Sequence, residues 1–492
     1  MAEPVLPEGI LTLDRTDPVP LAEQIYRCFR EAVRAGHLTA GTRLPSTRRL
    51  AASLKVARNT VNTAYELLKA EGVINIRGGA APRISAELPP EGAAGEIVTA
   101  TAAPALSTRG KLLSENLRAE GWFRQPGALQ PGAPALDSFP FEDWARCLRR
   151  AARLERSSDL HYQNFCGVEA LKQQLVRHLA AERGVRAEPE QILITSTMQA
   201  SLSLLAQVLT DPGDTVWLEE PGYLGARTAF HGAGLVIRPL PTDRDGADAS
   251  KVTSGAPVPK LIYVTPSHQY PLGVRMPLAR RLSLIQAAED AGAVILEDDY
   301  DSEFLFSGRP VAALHGLAPE GRVIYLGTFA KSLLPGLRVA YCVVPKGLTE
   351  PLQQLMRNMG CAANVQAQAA LAWFMDSGAY RKHLKQIREL YQERGNLLVE
   401  VLQRRLGNRL EVAPPTGNVQ VAVLFREQVD DIGIALAMQE RGFAVSALSN
   451  CYMEAPRKSG LIIGFAGATR DQIDQGADAL ASLLEQFPTK LL

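Results

Sequence analysis

From about residue 136 onward, short apolar runs of β-type composition return at intervals, and stretches of helical pattern separate them. The runs are Gln191–Thr195, Thr215–Leu218, Leu261–Thr265, Ala293–Leu296, Val323–Leu326 and Val339–Val344. A strand that is apolar throughout has to be covered on both faces, and the intervening helices supply that cover. The alternation predicts an α/β domain whose mostly parallel sheet lies between helical layers. The last part, about 380–492, has helix and strand patterns suited to a smaller α+β subdomain. A chain of 492 residues exceeds what one core serves, so at least one further domain is expected.

Composition excludes several classes. Hydrophobic content of 46% and charged content of 21% are those of an ordinary globular protein. No run of about 18 apolar residues occurs, so no membrane span is expected. The opening MAEPVLPEGI lacks the basic-then-apolar pattern of a signal peptide. The six cysteines, Cys28, Cys147, Cys166, Cys342, Cys361 and Cys451, are scattered without C-x-x-C spacing. That argues against a zinc site or disulfide framework, so no metal is expected, and it suits a reducing cytoplasm.

The charge is unevenly spread. Residues 19–85 hold eleven Lys/Arg and four Asp/Glu, a net of +7, so a total of +1 leaves −6 for the rest. A basic face is equally a solvated surface, so the pattern around it has to decide. Leu21, Ile25, Phe29 and Val33 recur every four residues and mark one helix face, which Gly36 ends. Ser46 is placed to cap a second helix with Leu50 and Leu54 inside. After Lys55-Val56-Ala57, a third helix buries Val61, Ala64, Tyr65 and Leu68 and ends at Gly72. The run 73–77, a Gly78-Gly79 turn and Arg83-Ile84 then read as a hairpin. Two helices across a tight turn followed by a hairpin make a winged helix-turn-helix, assigned to residues 1–85. Its third helix turns Arg58, Asn59, Asn62 and Thr63 away from the apolar stripe. Arginine can fork onto guanine and asparagine onto adenine in a major groove. Residues 86–135, rich in Ala, Pro and Gly, read as a linker with a short helix near Leu112–Ala119.

The segment Gly327-Thr328-Phe329-Ala330-Lys331 follows the apolar strand VIYLG, and Pro335-Gly336-Leu337-Arg338 follows it. A lone lysine is ordinarily a solvated charge. Set after a buried strand among small residues, it can form a Schiff base with an aldehyde. Pyridoxal 5′-phosphate (PLP) is the cofactor that uses such a lysine, and its other needs have candidates here. Its ring nitrogen needs a carboxylate. Asp298 ends the strand AVILEDDYDSEF and shares a face with Tyr300, whereas Asp299 points the other way. Tyr300 could then bond the phenolic oxygen; alternatively, the run is an acidic strand end in water. Tyr223, on the turn Glu220-Pro221-Gly222-Tyr223, could stack on the ring or be a core tyrosine. The helix opening at Met198 and Gln199 offers backbone N–H groups to the phosphate, with the Thr328 hydroxyl and the Arg338 guanidinium as further donors.

The segment RLPSTRRLAASLKVARNTVNTAYELLKAEGVINIRGG closely resembles the signature of GntR-family regulators. That resemblance implies DNA contacts from Arg48 and Arg58. It puts Asn59, Thr60 and Asn62 at or near the groove, with Gly78 and Gly79 at the wing tip. The cofactor segments, in their order and spacing, resemble the fold-type I aminotransferase domain. Together with TPSHQYPLG (265–273), VWLEEPGYLGAR (216–227) and LQPGAPALDSFPFEDWARCLRRAAR (129–153), the pairing resembles the MocR subfamily of GntR regulators, also called the GabR type. The resemblance spans essentially the whole chain and implies a head-to-tail homodimer. It also implies a PLP-binding effector domain over 136–492.

Some positions depart from that pattern. Thr197 replaces a glycine in the phosphate turn, Ala330 a serine before the lysine, and Leu272 a Thr or Ser. GLIIGFAG (460–467) lacks the arginine that transaminases of this fold use for a substrate carboxylate. Gly225 stands near where γ-aminobutyrate-responsive members carry a carboxylate-binding arginine, with Arg227 the nearest substitute. The expected function is a PLP-dependent transcription regulator, with no catalytic residue assigned. An amino compound or PLP itself would control binding to an operator of two half-sites. The alternative is a working aminotransferase with an accessory DNA-binding module.

Overall fold

The computed structural model describes residues 11–76, 81–85, 105–115, 127–153, 165–253, 255–306, 311–318 and 321–486. It divides into two compact units, Met1–Ala105 and Leu106–Leu492.

In the first unit, helices α1 (Leu21–Arg34), α2 (Thr47–Leu54) and α3 (Arg58–Ala70) precede a hairpin of β1 (Ile74–Asn75) and β2 (Arg83–Ile84). Ile25 and Phe29 of α1 and all four apolar residues of α3 named above are buried together. The Ser46 hydroxyl caps α2 by accepting from the Arg49 N–H. Lys55 takes a left-handed conformation (φ 53°), which closes α2 and leaves two residues before α3 begins. The buried Tyr65 hydroxyl donates to the Pro45 carbonyl at 2.9 Å and so ties α3 to the turn before α2. Arg77, Gly78 and Gly79 lie outside the described residues.

The second unit is built on an eight-stranded sheet. Its strands are β3 (Ile192–Thr195), β4 (Thr215–Glu220), β5 (Val236–Asp243), β6 (Gly246–Ala247), β7 (Leu261–Val264), β8 (Val294–Asp299), β9 (Val323–Thr328) and β10 (Ala340–Val343). They lie in the order β3-β10-β9-β8-β7-β4-β5-β6. The central run from β9 to β5 is parallel, and β10 and β6 are antiparallel to their neighbours. All six strands expected from the sequence form. β5 was not expected, because VIRPLPTD carries two prolines that cannot donate to a ladder. It is tolerated because only the two-residue β6 lies beyond it. A separate antiparallel sheet, ordered β11-β12-β14-β13, forms from β11 (Leu410–Val412), β12 (Gln420–Phe425), β13 (Ser446–Ala447) and β14 (Gly460–Gly464).

The linker reading needs correction at its C-terminal end. Residues 127–135 are part of the second unit. Ala128 bridges Phe443, Leu129 is buried in the main core, and the Gly464 N–H donates to the Leu129 carbonyl at 2.9 Å. Proline and glycine here shape a packed turn, and composition alone does not separate that from a free tether. A helix, α4 (Thr108–Ser114), forms inside the same stretch and packs Leu113 beside Gly232. It starts earlier than the expected Leu112–Ala119, whose residues 116–119 lie outside the described residues.

Candidate cofactor and nucleic-acid sites

A cavity of about 740 Å³ opens at the carboxyl ends of the parallel strands. That is where open α/β sheets bind their ligands, because the chain diverges there and leaves a crevice. Tyr223 follows β4, Thr265 follows β7, Asp298 lies at the end of β8, and Thr328 and Lys331 close β9; all line the cavity. Met198 and Gln199 line it from the first turn of α5 (Met198–Leu209), and Arg338 and Tyr300 also reach it. The structure therefore brings all eight predicted cofactor residues to one space.

Asp298 is 3% exposed and its two oxygens differ. Oδ2 accepts from the Tyr263 hydroxyl at 2.6 Å, whereas Oδ1 is buried with no hydrogen-bond partner among the described residues. Burial pushes this carboxyl up to about 7, against the pull of the Tyr263 hydroxyl and the Lys331 ammonium. A protonated ring nitrogen at Oδ1 would satisfy the orphaned oxygen and favour the charged carboxylate. Asp299 faces the other way. It pairs with Arg183 at 2.7 Å and accepts from the Tyr325 hydroxyl at 2.6 Å, and this environment holds its carboxyl below the ordinary range despite burial. The alternation of side chains along β8 thus puts one carboxylate in the cavity and the other in a structural ion pair.

The Lys331 Nζ donates to the Gly132 carbonyl at 2.7 Å. Gly132 has φ 72°, and a Cβ there would stand 2.4 Å from Nζ, so only glycine lets the turn approach the amine. Thr328 turns the chain toward the lysine, its hydroxyl accepting from the Ala330 N–H at 3.2 Å. Thr197 is the N-cap of α5 and accepts from the Ala200 N–H at 3.0 Å. It sits in extended backbone (φ −161°), so the departure from glycine supplies a cap without strain. The Gln199 side chain donates to the Gly225 carbonyl at 3.0 Å. A Cβ on Gly225 would meet the Tyr223 ring at 2.4 Å, so a larger residue there would displace that ring. The Tyr300 hydroxyl donates to the His268 carbonyl at 3.1 Å, which leaves it an acceptor toward the cavity.

Sequence reasoning missed Tyr263, the 130–134 turn and Gln420, all of which line the cavity. Tyr263 pairs in register with Leu296, two residues from Asp298 on the same face, and no sequence signal links the two. The turn did carry a signal, since LQPGAPA begins one of the segments with family resemblance.

In the first unit, Arg48, Arg58 and Asn59 are exposed and Thr60 and Asn62 half-buried. The Arg58 Nε lies 3.4 Å from the Thr47 hydroxyl, a long contact at the edge of hydrogen bonding. No side chain caps the start of α3.

Residues 129–480 match the family model of aminotransferase class I and II, and residues 21–84 match that of bacterial regulatory proteins of the gntR family. The probable rhizopine catabolism regulatory protein MocR of Rhizobium meliloti is 40% identical over 474 residues, covering 96% of this chain and 95% of that protein. The pyridoxine biosynthesis transcriptional regulator PdxR of Corynebacterium glutamicum is 29% identical, covering 94% of this chain and 96% of its own. Among solved structures, the α-aminoadipate aminotransferase LysN of Thermus thermophilus, complexed with N-(5′-phosphopyridoxyl)-L-leucine, superposes with a TM-score of 0.71 at 27% identity. That match covers 77% of this chain and 97% of the enzyme. A gntR-type winged helix-turn-helix joined in one chain to an aminotransferase class I and II domain is the arrangement of MocR-type GntR regulators, and this chain belongs to that family of PLP-dependent, DNA-binding transcription regulators.

Proposed function

We propose that PLP binds in the strand-end cavity and that its occupancy, or an amine arriving there, sets how the protein holds its operator. The observation that carries this reading is the buried, unpartnered Oδ1 of Asp298 in the cavity that Lys331 also lines. When bound, PLP supplies an aldehyde carbon that condenses with amines. Lys331 is the amine that anchors it. Asp298 holds a proton on the ring nitrogen, and Tyr263 orients Asp298. Tyr223 would cover the ring, and Tyr300 would offer its hydroxyl to the phenolic oxygen. The first turn of α5 at Met198 and Gln199, with Thr328 and Arg338, receives the phosphate, because N–H groups there have no intrahelical acceptor.

The DNA-binding module is taken as residues 1–85, with the effector domain beginning by 127. Arg58, Asn59 and Asn62 read base edges, and Arg48 and Thr60 support them. The protein works in the cytoplasm as a head-to-tail homodimer, so the operator holds two half-sites. The relatives' names span rhizopine catabolism and pyridoxine biosynthesis, which fits either an amino compound or PLP as the effector. A ligand changes DNA binding only if it binds the two states of the dimer with different affinity.

The deciding experiment is gel retardation of DNA from upstream of the protein's own and neighbouring genes, with and without PLP and an amine panel. Ketoacid production from the same amines is measured in parallel. Specific retardation that responds to ligand, without turnover, is expected. Rapid ketoacid formation with no retarded DNA would move the reading to an aminotransferase.

A further inference from the structure

The cavity's charge and its unused hydrogen-bonding capacity point the same way. Among the described residues lining it, only Lys331 and Arg338 are cationic, and the proposed function commits both to PLP. No residue of 460–467, the strand where an arginine for a substrate carboxylate would stand, lines the cavity. Ile462 and Ile463 of β14 are buried in apolar packing instead. The remaining polar lining is neutral apart from Asp298, with amides and hydroxyls such as Gln130, Ser196, Thr265 and Gln420.

Gln420 stands out among these. It opens β12, is 2% exposed, and its Nε2 has no hydrogen-bond partner among the described residues. Its Oε1 lies 4.0 Å, and the Lys331 Nζ 2.4 Å, from the point where a Cβ on Gly132 would stand. The amide and the lysine amine therefore border one small space. Buried donors are nearly always paired, so an idle one on a residue that lines a ligand cavity points to an acceptor on the ligand.

We propose that the effector is an amine bearing a neutral oxygen acceptor, a hydroxyl above all, near its nitrogen, and that Gln420 reads that oxygen. This rests on the amine-sensing form of the proposed function. The amide N–H satisfies a hydroxyl oxygen with no charge to compensate. A carboxylate entering the same space gives up its hydration and finds no guanidinium fork.

The test is calorimetric titration of full-length, PLP-loaded protein with two matched pairs of ligands. The first is 2-aminopropan-1-ol against alanine, and the second is 2-aminoethanol against glycine. Each amino alcohol is expected to bind about tenfold more tightly than its amino acid. Gln420→Leu, which keeps the volume and removes the donor, is expected to lose about tenfold for the alcohols. Gln420→Arg, which adds a fork, is expected to invert the preference. The PLP content of each variant reports whether the domain has folded. Amino acids binding as tightly as the alcohols in the unmodified protein, or alcohol affinity unchanged in Gln420→Leu, would overturn the assignment while leaving amine sensing intact. No heat from any amine, with operator binding responding to PLP alone, would overturn amine sensing and this inference together.

Discussion

The two binding regions solve opposite problems. On α3, Arg58 and Asn59 stand in solvent, Thr60 and Asn62 are half-buried, and Arg58 makes a long contact to Thr47. In the cavity the residues expected to meet PLP run from the buried Asp298, through half-buried Lys331, Thr328, Tyr223 and Tyr300, to the exposed Arg338, and several are braced by neighbours. Tyr263 holds one oxygen of Asp298, the Gly132 carbonyl holds the lysine, and Thr197 caps α5. DNA presents solvated phosphates and groove edges, so its reader needs only the right side chains on a firm helix. A small cofactor is held by desolvated charge, which is costly unless every polar atom has a partner. One region therefore tolerates loose side chains, and the other depends on contacts across the whole sheet.

The sharpest break in this comparison is at the lysine. Lys331→Ala is expected to abolish the covalent link to PLP after borohydride reduction, read by peptide mass mapping; PLP recovered on a different lysine would end the assignment. Next comes the contrast within one strand. Asp299→Asn leaves the buried Arg183 uncompensated and is expected to cost about 3–5 kcal/mol of stability by denaturant melts. Asp298→Asn is expected to spare the fold while weakening PLP retention and altering its absorbance. Exchanged phenotypes would mean that the two faces of β8 are misassigned.

The pH dependence sharpens the same contrast. Burial lifts Asp298 from its ordinary 3.8 to about 7, so the cofactor-free fold keeps a proton that the unfolded chain has already released. That group therefore costs stability progressively as pH rises from near 4 to near 7. Charge-pairing at Oδ1 removes the cost, so the gain in melting temperature on adding PLP should grow across that interval. The gain corresponds to a few kcal/mol in all. The profile should flatten in Asp298→Asn, and a flat profile in the unmodified protein would break the pairing.

Smaller effects are expected on the exposed helix. Arg58→Ala should lose about 1–3 kcal/mol on operator DNA and discriminate less well against random DNA. Lys55→Ala should weaken both DNAs alike and lower the salt slope by about one unit. Gel retardation across a salt series measures both; operator affinity unchanged in Arg58→Ala would remove this helix as the reader.

The first unit was legible in the sequence because its determinants are local. Four-residue spacing marked the buried face of α1 and three- and four-residue spacing that of α3, Ser46 marked the start of α2, and residues at neighbouring positions became neighbours in space. The strands of the large sheet were legible for the same reason, since an apolar run announces itself, and β5 was missed because its prolines hide that signal. Lys331, Asp298 and Tyr223 could be named because each lies at the end of its own strand, where the chain leaves the sheet. What the tertiary structure alone decided was the second partner of each. The pairing of β7 with β8 put the Tyr263 hydroxyl on Asp298, and the return of residues 127–135 onto the small sheet set Gly132 against the lysine. The strand order that brought β12 to the cavity left Gln420 lining it. Hydrogen bonds between residues 35 and 199 positions apart leave no periodic trace in a sequence, because only the folded backbone brings donor and acceptor together.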